Sequence, residues 1–346
     1  MSTSRRTAAA AAPSNVTVTE VARLAGVSVG TVSSVLNSPD AVGEARRNRV
    51  LQAIETLGYV PNRLAQGLRR GKLPLIGICL PDLESSYFAD LSNEVEAAAS
   101  RHGFEVIQVL SRNQPPLEYR RLAALLSHRV SGLLILPTAE PSGTFDLIAR
   151  EGVPAVILDR PSADNRFDYV TFDNRSAMLE AARHLVAIGH RRLLYVVRHP
   201  KLVTTRRRMA AFRDVAREAG VEAGVMVQGN SGGFRDRLAS ALDRATGATA
   251  VIASNTAVAL WTVRALRSLG LAWPGDVSLL VFERPEWADI LHPPLSVVET
   301  PAAEMADAAW RLLHRRLEGA KAAGRERIEL RAALHWEGSV GPPSTA

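Results

Sequence analysis

Residues 16–37 read VTVTEVARLAGVSVGTVSSVLN, and the order of caps and apolar positions in this stretch decides the N-terminal fold. Thr17-x-x-Glu20 has the form of a capping box, in which a hydroxyl and a carboxylate take backbone N–H groups that the first helical turn leaves open. A helix therefore starts here, with Val21 and Leu24 as its apolar positions. Gly26 ends it, because glycine takes positive φ without a Cβ clash, and Ser28 supplies the next N-cap. The second helix spans about 29–36. It turns Val32, Val35 and Leu36 toward Val21 and Leu24 and leaves Val29, Gly30, Ser33 and Ser34 facing outward. Two short helices joined by a glycine turn form a helix-turn-helix, whose second helix suits the DNA major groove. A third helix over about 44–57 carries Val50, Leu51, Ile54 and Leu57 as its apolar stripe.

Charge follows the same division. Residues 1–72 hold 10 Lys and Arg against 4 Asp and Glu, while the other 274 residues hold 32 against 31. A basic module on a near-neutral body implies a polyanion touched by the first unit only. The chain of 346 residues, 47% hydrophobic and 5% aromatic, is long enough for two or three packed units. It has neither a run of 18 uncharged apolar residues nor an apolar segment of signal-peptide form near its start, so no membrane partner is expected. Residues 1–15 read as a disordered basic tail, and the lone Cys79, inside an apolar run, reads as an inert buried thiol suited to a reducing cytoplasm.

From residue 74 onward the runs LIGICL, FEVIQV, GLLIL, PAVIL, YVTF, RLLYVV, VMVQ, TAVIA and VSLLVF alternate with helical patterns such as 87–102, 117–129 and 174–189. Strands without polar alternation, separated by helices, indicate α/β architecture with parallel sheets buried on both faces. Their number is enough for two doubly wound halves.

Two longer motifs carry a family resemblance. Ala22-x-Leu24-Ala25-Gly26-Val27-Ser28-x-x-Thr31-Val32-Ser33 is followed, after the third helix, by Tyr59-x-Pro61-Asn62-x-x-Ala65-x-x-Leu68. Together they resemble the LacI/GalR family of repressors. The resemblance implies a hinge helix from Asn62 to Arg70 that folds on operator DNA, with Asn62, Arg63 and Ala65 on the duplex and Leu68 as a wedge in the minor groove. It assigns Val29, Gly30 and Ser34 to base reading and Thr31, Ser33 and Asn37 to phosphates, with Thr17 and Ser28 completing the set. This chain departs from the common pattern at the base-reading positions, since Val29 can only touch a thymine methyl and Gly30 has no side chain.

The resemblance spans nearly the whole chain and implies core halves like those of periplasmic sugar-binding proteins, with a ligand cleft between them. The expected layout is a tail to 15, a helix-turn-helix domain over 16–60, a hinge over 61–72, a core over 73–340 and a tail over 341–346. Within the core, half one takes about 73–171 and 301–329, and half two takes about 172–300 and 330–340. In the cleft, Tyr87, Phe88, Asp159, Arg160, Arg208, Asn255 and Glu283 match ligand-contacting positions. The pocket is altered: Thr256 replaces an aspartate, Val281 a glycine, and Glu283 stands where an aspartate is usual. Trp261 and Trp287 read either as core or as stacking platforms for a sugar.

The implied partners are a near-palindromic operator, a second copy of the chain in a homodimer, and a small effector of carbohydrate type that shifts operator affinity. An alternative is a regulator controlled by a protein partner or by no ligand. A hydrolase reading rests on Gly229-Asn-Ser-Gly-Gly233, which fits G-x-S-x-G, with Asp276 and His292 following in order; Ser231 as a helix N-cap is the simpler role. No Walker loop, dinucleotide fingerprint or metal-ligand spacing is present in the sequence, so no cofactor or metal is expected.

Overall fold

A computed structural model describes residues 16–37, 39–59, 74–138, 143–229, 233–243, 246–319 and 324–344. The chain divides into two compact units, residues 1–73 and 74–346.

In the first unit, α1 (Val18–Ala25), α2 (Val29–Asn37) and α3 (Glu44–Leu57) enclose a small core of Val21, Ala22, Ala25, Val32, Val35, Val50 and Ala53. The Thr17 N–H donates to Glu20 Oε2 at 2.7 Å and the Glu20 N–H to Thr17 Oγ1 at 3.4 Å, so the capping box is formed. Gly26 closes α1 at φ 64, and the Thr31 N–H donates to Ser28 Oγ at 3.1 Å to cap α2. Two expected core positions are corrected. Leu24 is 53% exposed and Leu51 50% exposed. At 100° per residue the buried arc of α1 is centred between Val21 and Ala22, and that of α3 on Val50, Ala53 and Leu57, so Leu24 falls roughly 110° and Leu51 roughly 130° off centre. The hinge positions Asn62, Arg63, Ala65 and Leu68 lie outside the described residues.

The second unit contains two six-stranded sheets. The first is built from β1 (Leu75–Leu80), β2 (Glu105–Leu110), β3 (Gly132–Ile135), β4 (Ala155–Leu158), β5 (Asp168–Phe172) and, late in the chain, β11 (Arg327–Leu330), in the order β11-β5-β4-β3-β1-β2. On one face lie α4 (Ser86–Arg101) and α11 (Ala302–Leu317), on the other α5 (Pro115–Ser127) and α6 (Gly143–Glu151). The second sheet repeats the plan with β6 (Arg192–Val197), β7 (Glu222–Val227), β8 (Ala250–Ala253), β9 (Ser278–Phe282), β10 (Ser296–Glu299) and β12 (Ala333–His335), ordered β12-β10-β9-β8-β6-β7. The helices α7 (Asn174–Ala187) and α8 (Val203–Ala219) cover one face, and α9 (Phe234–Ala241) and α10 (Thr256–Ser268) the other.

The chain passes between the sheets three times, after β5, after β10 and after β11. Two details correct the sequence reading. The C-terminal run adds a strand to each sheet, β11 to the first and β12 to the second, and β12 pairs antiparallel with β10, so the second sheet is mixed at its edge rather than all parallel. Gly341, expected to open a tail, is tied down: its carbonyl accepts from Ser278 Oγ at 2.9 Å and lies 3.0 Å from His190 Nε2. Each sheet reverses its strand order once, between β1 and β3 and between β6 and β8. Beyond the carboxyl ends of strands at such a reversal, an open α/β sheet leaves a crevice.

Candidate nucleic-acid interface and ligand cleft

On the first unit, the N-terminal edge of α2 is free of core packing. Ser28, Val29, Gly30 and Ser34 are exposed, while Thr31 and Ser33 are half-buried. Ser28 Oγ lies 3.0 Å from Thr31 Oγ1, so both hydroxyls serve the cap first. Ser34 Oγ donates to the Gly30 carbonyl at 3.0 Å, leaving the hydroxyl oxygen open as an acceptor. Thr17 is likewise engaged in the cap of α1.

In the second unit the cleft collects the loops that follow β1, β4, β6, β8 and β9. Asp159 and Glu283, each directly after its strand, hold φ 59 and 71, a region costly for residues with a Cβ. Arg160 is buried; its NH1 donates to Asn113 Oδ1 at 2.9 Å and to the Pro137 carbonyl at 2.7 Å, with Asp159 Oδ2 3.9 Å from its Nε. Of the run Arg206-Arg207-Arg208, only Arg208 is buried. Its Nε donates to Asn174 Oδ1 at 2.7 Å and NH1 to the Ser254 carbonyl at 3.0 Å, with the guanidinium 4.1 Å from the Phe282 ring centroid.

Glu283 is the centre of the cleft. Ser85 Oγ, from the opposite half, donates to Glu283 Oε2 at 2.6 Å, and the Thr256 N–H does so at 3.3 Å. Burial pushes the Glu283 carboxyl up to about 7 against the lowering effect of Ser85, Arg208 and Thr256. Burial likewise raises Asp159, opposed by Arg160 and Arg208. Asn255 caps α10, its Oδ1 accepting the Val258 N–H at 2.9 Å. Tyr87 turns its hydroxyl to Met305 Sδ at 3.0 Å, and its ring packs on Phe88 at 5.3 Å.

These seven residues border one inner cavity of about 60 Å³, and Asn113, Arg160, His199 and Leu202 also border an outer cavity of about 540 Å³. Sequence reasoning missed Ser85, Asn113, Arg198, His199, Lys201 and Arg206. Five of these lie in loops that follow strand ends, the signal that could have found them, and Arg206 lies on α8. Trp261 and Trp287 pack at the edge of the core between α9, α10 and the second sheet.

For the hydrolase reading, Ser231 lies outside the described residues. Asp276 Oδ2 accepts the Ala272 N–H at 2.8 Å, and His292 Nδ1 sits 3.2 Å from the Ile290 carbonyl, so each is engaged locally. Among the described residues no helix is long and apolar enough to cross a membrane. Burial pushes the Cys79 thiol up to about 12, which makes it a poor nucleophile.

A helix-turn-helix on a basic unit, joined to a two-sheet core with a polar cleft, defines a DNA-binding transcriptional regulator. Residues 17–62 match the model of bacterial regulatory proteins, lacI family, and residues 182–340 that of the periplasmic binding protein-like domain. The HTH-type transcriptional regulator PtxS of Pseudomonas putida is 32% identical over 332 residues, covering 94% of this chain and 96% of that protein. A solved complex of the transcriptional regulator CelR with cellobiose is 29% identical, covers 94% of this chain and 99% of its own, and superposes with TM-score 0.67. The lac repressor dimer bound to operator and the anti-inducer ONPF shares the fold at TM-score 0.81 and 24% identity, over 94% of this chain and 99% of its own. The chain belongs to the lacI family of bacterial regulatory proteins.

Proposed function

We propose that this chain is a cytoplasmic repressor, located on the nucleoid when bound, that grips a near-palindromic operator as a homodimer and changes its operator affinity when a small ligand enters the core cleft. The observation that carries the reading is the exposed N-terminal edge of α2, the second helix of a helix-turn-helix whose Val32 and Val35 are turned into the core. Val29 and Ser34 are assigned to base edges and Thr31, Ser33 and Asn37 to phosphates, with Thr17 and Ser28 at the helix N-termini. Gly30 lets the backbone approach the duplex. Asn62, Arg63, Ala65 and Leu68 are assigned to the hinge, with Leu68 as the wedge. The ligand-contacting set is Tyr87, Phe88, Asp159, Arg160, Arg208, Asn255 and Glu283, around the inner cavity. The CelR structure holds cellobiose, which supports a sugar or sugar derivative as effector.

Footprinting on the promoter DNA next to the protein's own gene tests this. The expected result is a protected site with dyad symmetry, and Leu68→Ala should weaken binding to it at least tenfold, about 1.4 kcal/mol. Protection without dyad symmetry, or unchanged affinity in Leu68→Ala, would overturn the dimer and wedge assignments respectively.

The Ser85–Glu283 hydrogen bond across an inner cavity of only about 60 Å³ favours a second reading, in which no ligand enters and a protein partner sets operator affinity. Addition of small ligands would then leave the footprint unchanged.

A further inference from the structure

The exposed edge of α2 carries few groups that can hydrogen-bond to a base. Residues 28–36 read SVGTVSSVL and hold no arginine, lysine, acid or amide, the side chains that pair with guanine, adenine or cytosine edges. Asn37 is the one amide residue of the helix and lies in its last turn. Eight residues beyond Val29, it stands about 12 Å further along the axis and over different base pairs.

The hydroxyls of this edge are already engaged. Ser28 Oγ accepts the Thr31 N–H at 3.1 Å and lies 3.0 Å from Thr31 Oγ1. Ser34 gives its only hydroxyl proton to the Gly30 carbonyl at 3.0 Å, and Ser33 is half-buried. The lone pairs of Ser34 can still accept one hydrogen bond. Adenine N6 and cytosine N4 both offer such a donor in the major groove, so a single acceptor does not tell them apart.

What the edge does present is apolar. Val29 is 38% exposed although its side chain holds only carbon. Beside it, Gly30 lies inside α2, where glycine is a weaker helix former than alanine. Nothing within the unit requires it. A Cβ built there would meet only Ser28 Oγ at 3.7 Å, an ordinary contact, and its φ is not in the left-handed region. The stability lost at Gly30 is therefore not recovered inside the fold, while a bare Cα lets the helix backbone come closer to a surface outside it. On the floor of the major groove, the group that suits a valine beside a bare Cα is the C5-methyl of a pyrimidine. Thymine carries it, and cytosine gains the same group in the same place when methylated at C5.

We propose that α2 recognises a C5-methyl group on one pyrimidine of each half-site, through Val29 and the close approach that Gly30 permits, and not through hydrogen bonds from side chains to base edges. The methyl belongs to thymine or to 5-methylcytosine; in the second case operator affinity responds to cytosine methylation. The proposal rests on the placement of α2 in the major groove.

Substituted duplexes carrying the footprinted promoter site test this with the full chain, by anisotropy titration. Each pyrimidine is replaced in turn at symmetric positions of both half-sites. Deoxyuridine for thymine removes only the C5-methyl, and 5-methyldeoxycytidine for cytosine adds one. Burial of one methyl predicts an effect of about fourfold per half-site and about 15-fold for the pair. A loss of that size at one symmetric pair of deoxyuridines would identify thymine as the source. A gain of that size at one pair of methylated cytosines, with no effect of deoxyuridine, would identify 5-methylcytosine. In Val29→Ala the same substitution should change affinity less than twofold, which a merely structural role for Val29 would not produce. Gly30→Ala should unfold no earlier than the parent in a thermal scan, yet bind the site at least tenfold more weakly. The proposal is overturned if neither kind of substitution changes affinity, if the methyl effect persists in Val29→Ala, or if Gly30→Ala binds the site as tightly as the parent. A footprint with no specific site would instead refute the regulator reading on which it rests.

Discussion

Glu283 shows how a single residue reshapes the cleft. It stands at a strand end with φ 71, reaches the opposite half through Ser85, and carries a carboxyl that burial raises to about 7 from an ordinary 4.5. A raised carboxyl favours the protonated form of the folded protein. Below pH 4.5 the group costs no stability; between 4.5 and 7 folding stability falls as the unfolded state releases its proton more easily, and above 7 the cost is complete. Glu283→Gln, a neutral isostere that still accepts from Ser85, should therefore be more stable than the parent at pH 8, by at most about 3 kcal/mol, with the gap closing toward pH 5. Urea unfolding at both pH values checks this, and an equal gap at both would show that the carboxylate is not held in a desolvated site. The sequence marked Glu283 as a departure from the family pattern, and its position after VSLLVF placed it in the cleft. Its partner Ser85 was not legible, because a contact between residues 85 and 283 depends on how the two halves close.

Elements were legible where a period was strong. The nine apolar runs from LIGICL to VSLLVF all became strands; the central ones are buried on both faces and carry no polar alternation, while β2 and β7 lie at the sheet edges and are partly exposed. The misses are where the period is weak or the chain short. Leu24 and Leu51 have the right residue type but the wrong helical phase, and in a three-helix unit with alanines at its contacts, Ala22, Ala25 and Ala53 fill the core instead. β11 and β12 were not legible as separate strands in different sheets, because only Arg331 and Ala332 lie between them.

The junction of α11 with the first sheet depends on a buried ion pair that no periodicity reveals. Arg316 donates to both oxygens of Asp168, through Nε and NH2 at 2.9 Å each, and the Glu326 N–H joins at 2.8 Å. Burial works to raise the Asp168 carboxyl, but these hydrogen bonds outweigh it and hold it below the usual range. Asp168→Ala leaves Arg316, 9% exposed, without its partner and should cost about 3–5 kcal/mol in urea unfolding. A loss under about 1 kcal/mol would mean that the pair is solvated and contributes little.

At the scale of the molecule, the division of labour was written in the charge: a basic excess confined to residues 1–72 and a balanced body behind it. The two-unit organisation of the structure, divided at residues 73 and 74, agrees with that segregation. What the sequence could not convey is the emptiness of one cavity and the crowding of the other, since volume follows from how the loops at the strand ends pack together. The same holds for the outer cavity's charge, which is assembled from Arg160 and Lys201 on loops of different halves and Arg206 on α8.

Sequence-specific DNA binding by this regulator can be measured by fluorescence anisotropy. The full chain would be titrated against a duplex carrying its footprinted promoter site and against a scrambled duplex of equal length, over a series of salt concentrations. Binding to the site is expected to be at least about 10³-fold tighter than to the scrambled duplex, with affinity for both falling steeply as salt rises. Equal affinity for the two duplexes at every salt concentration would contradict it.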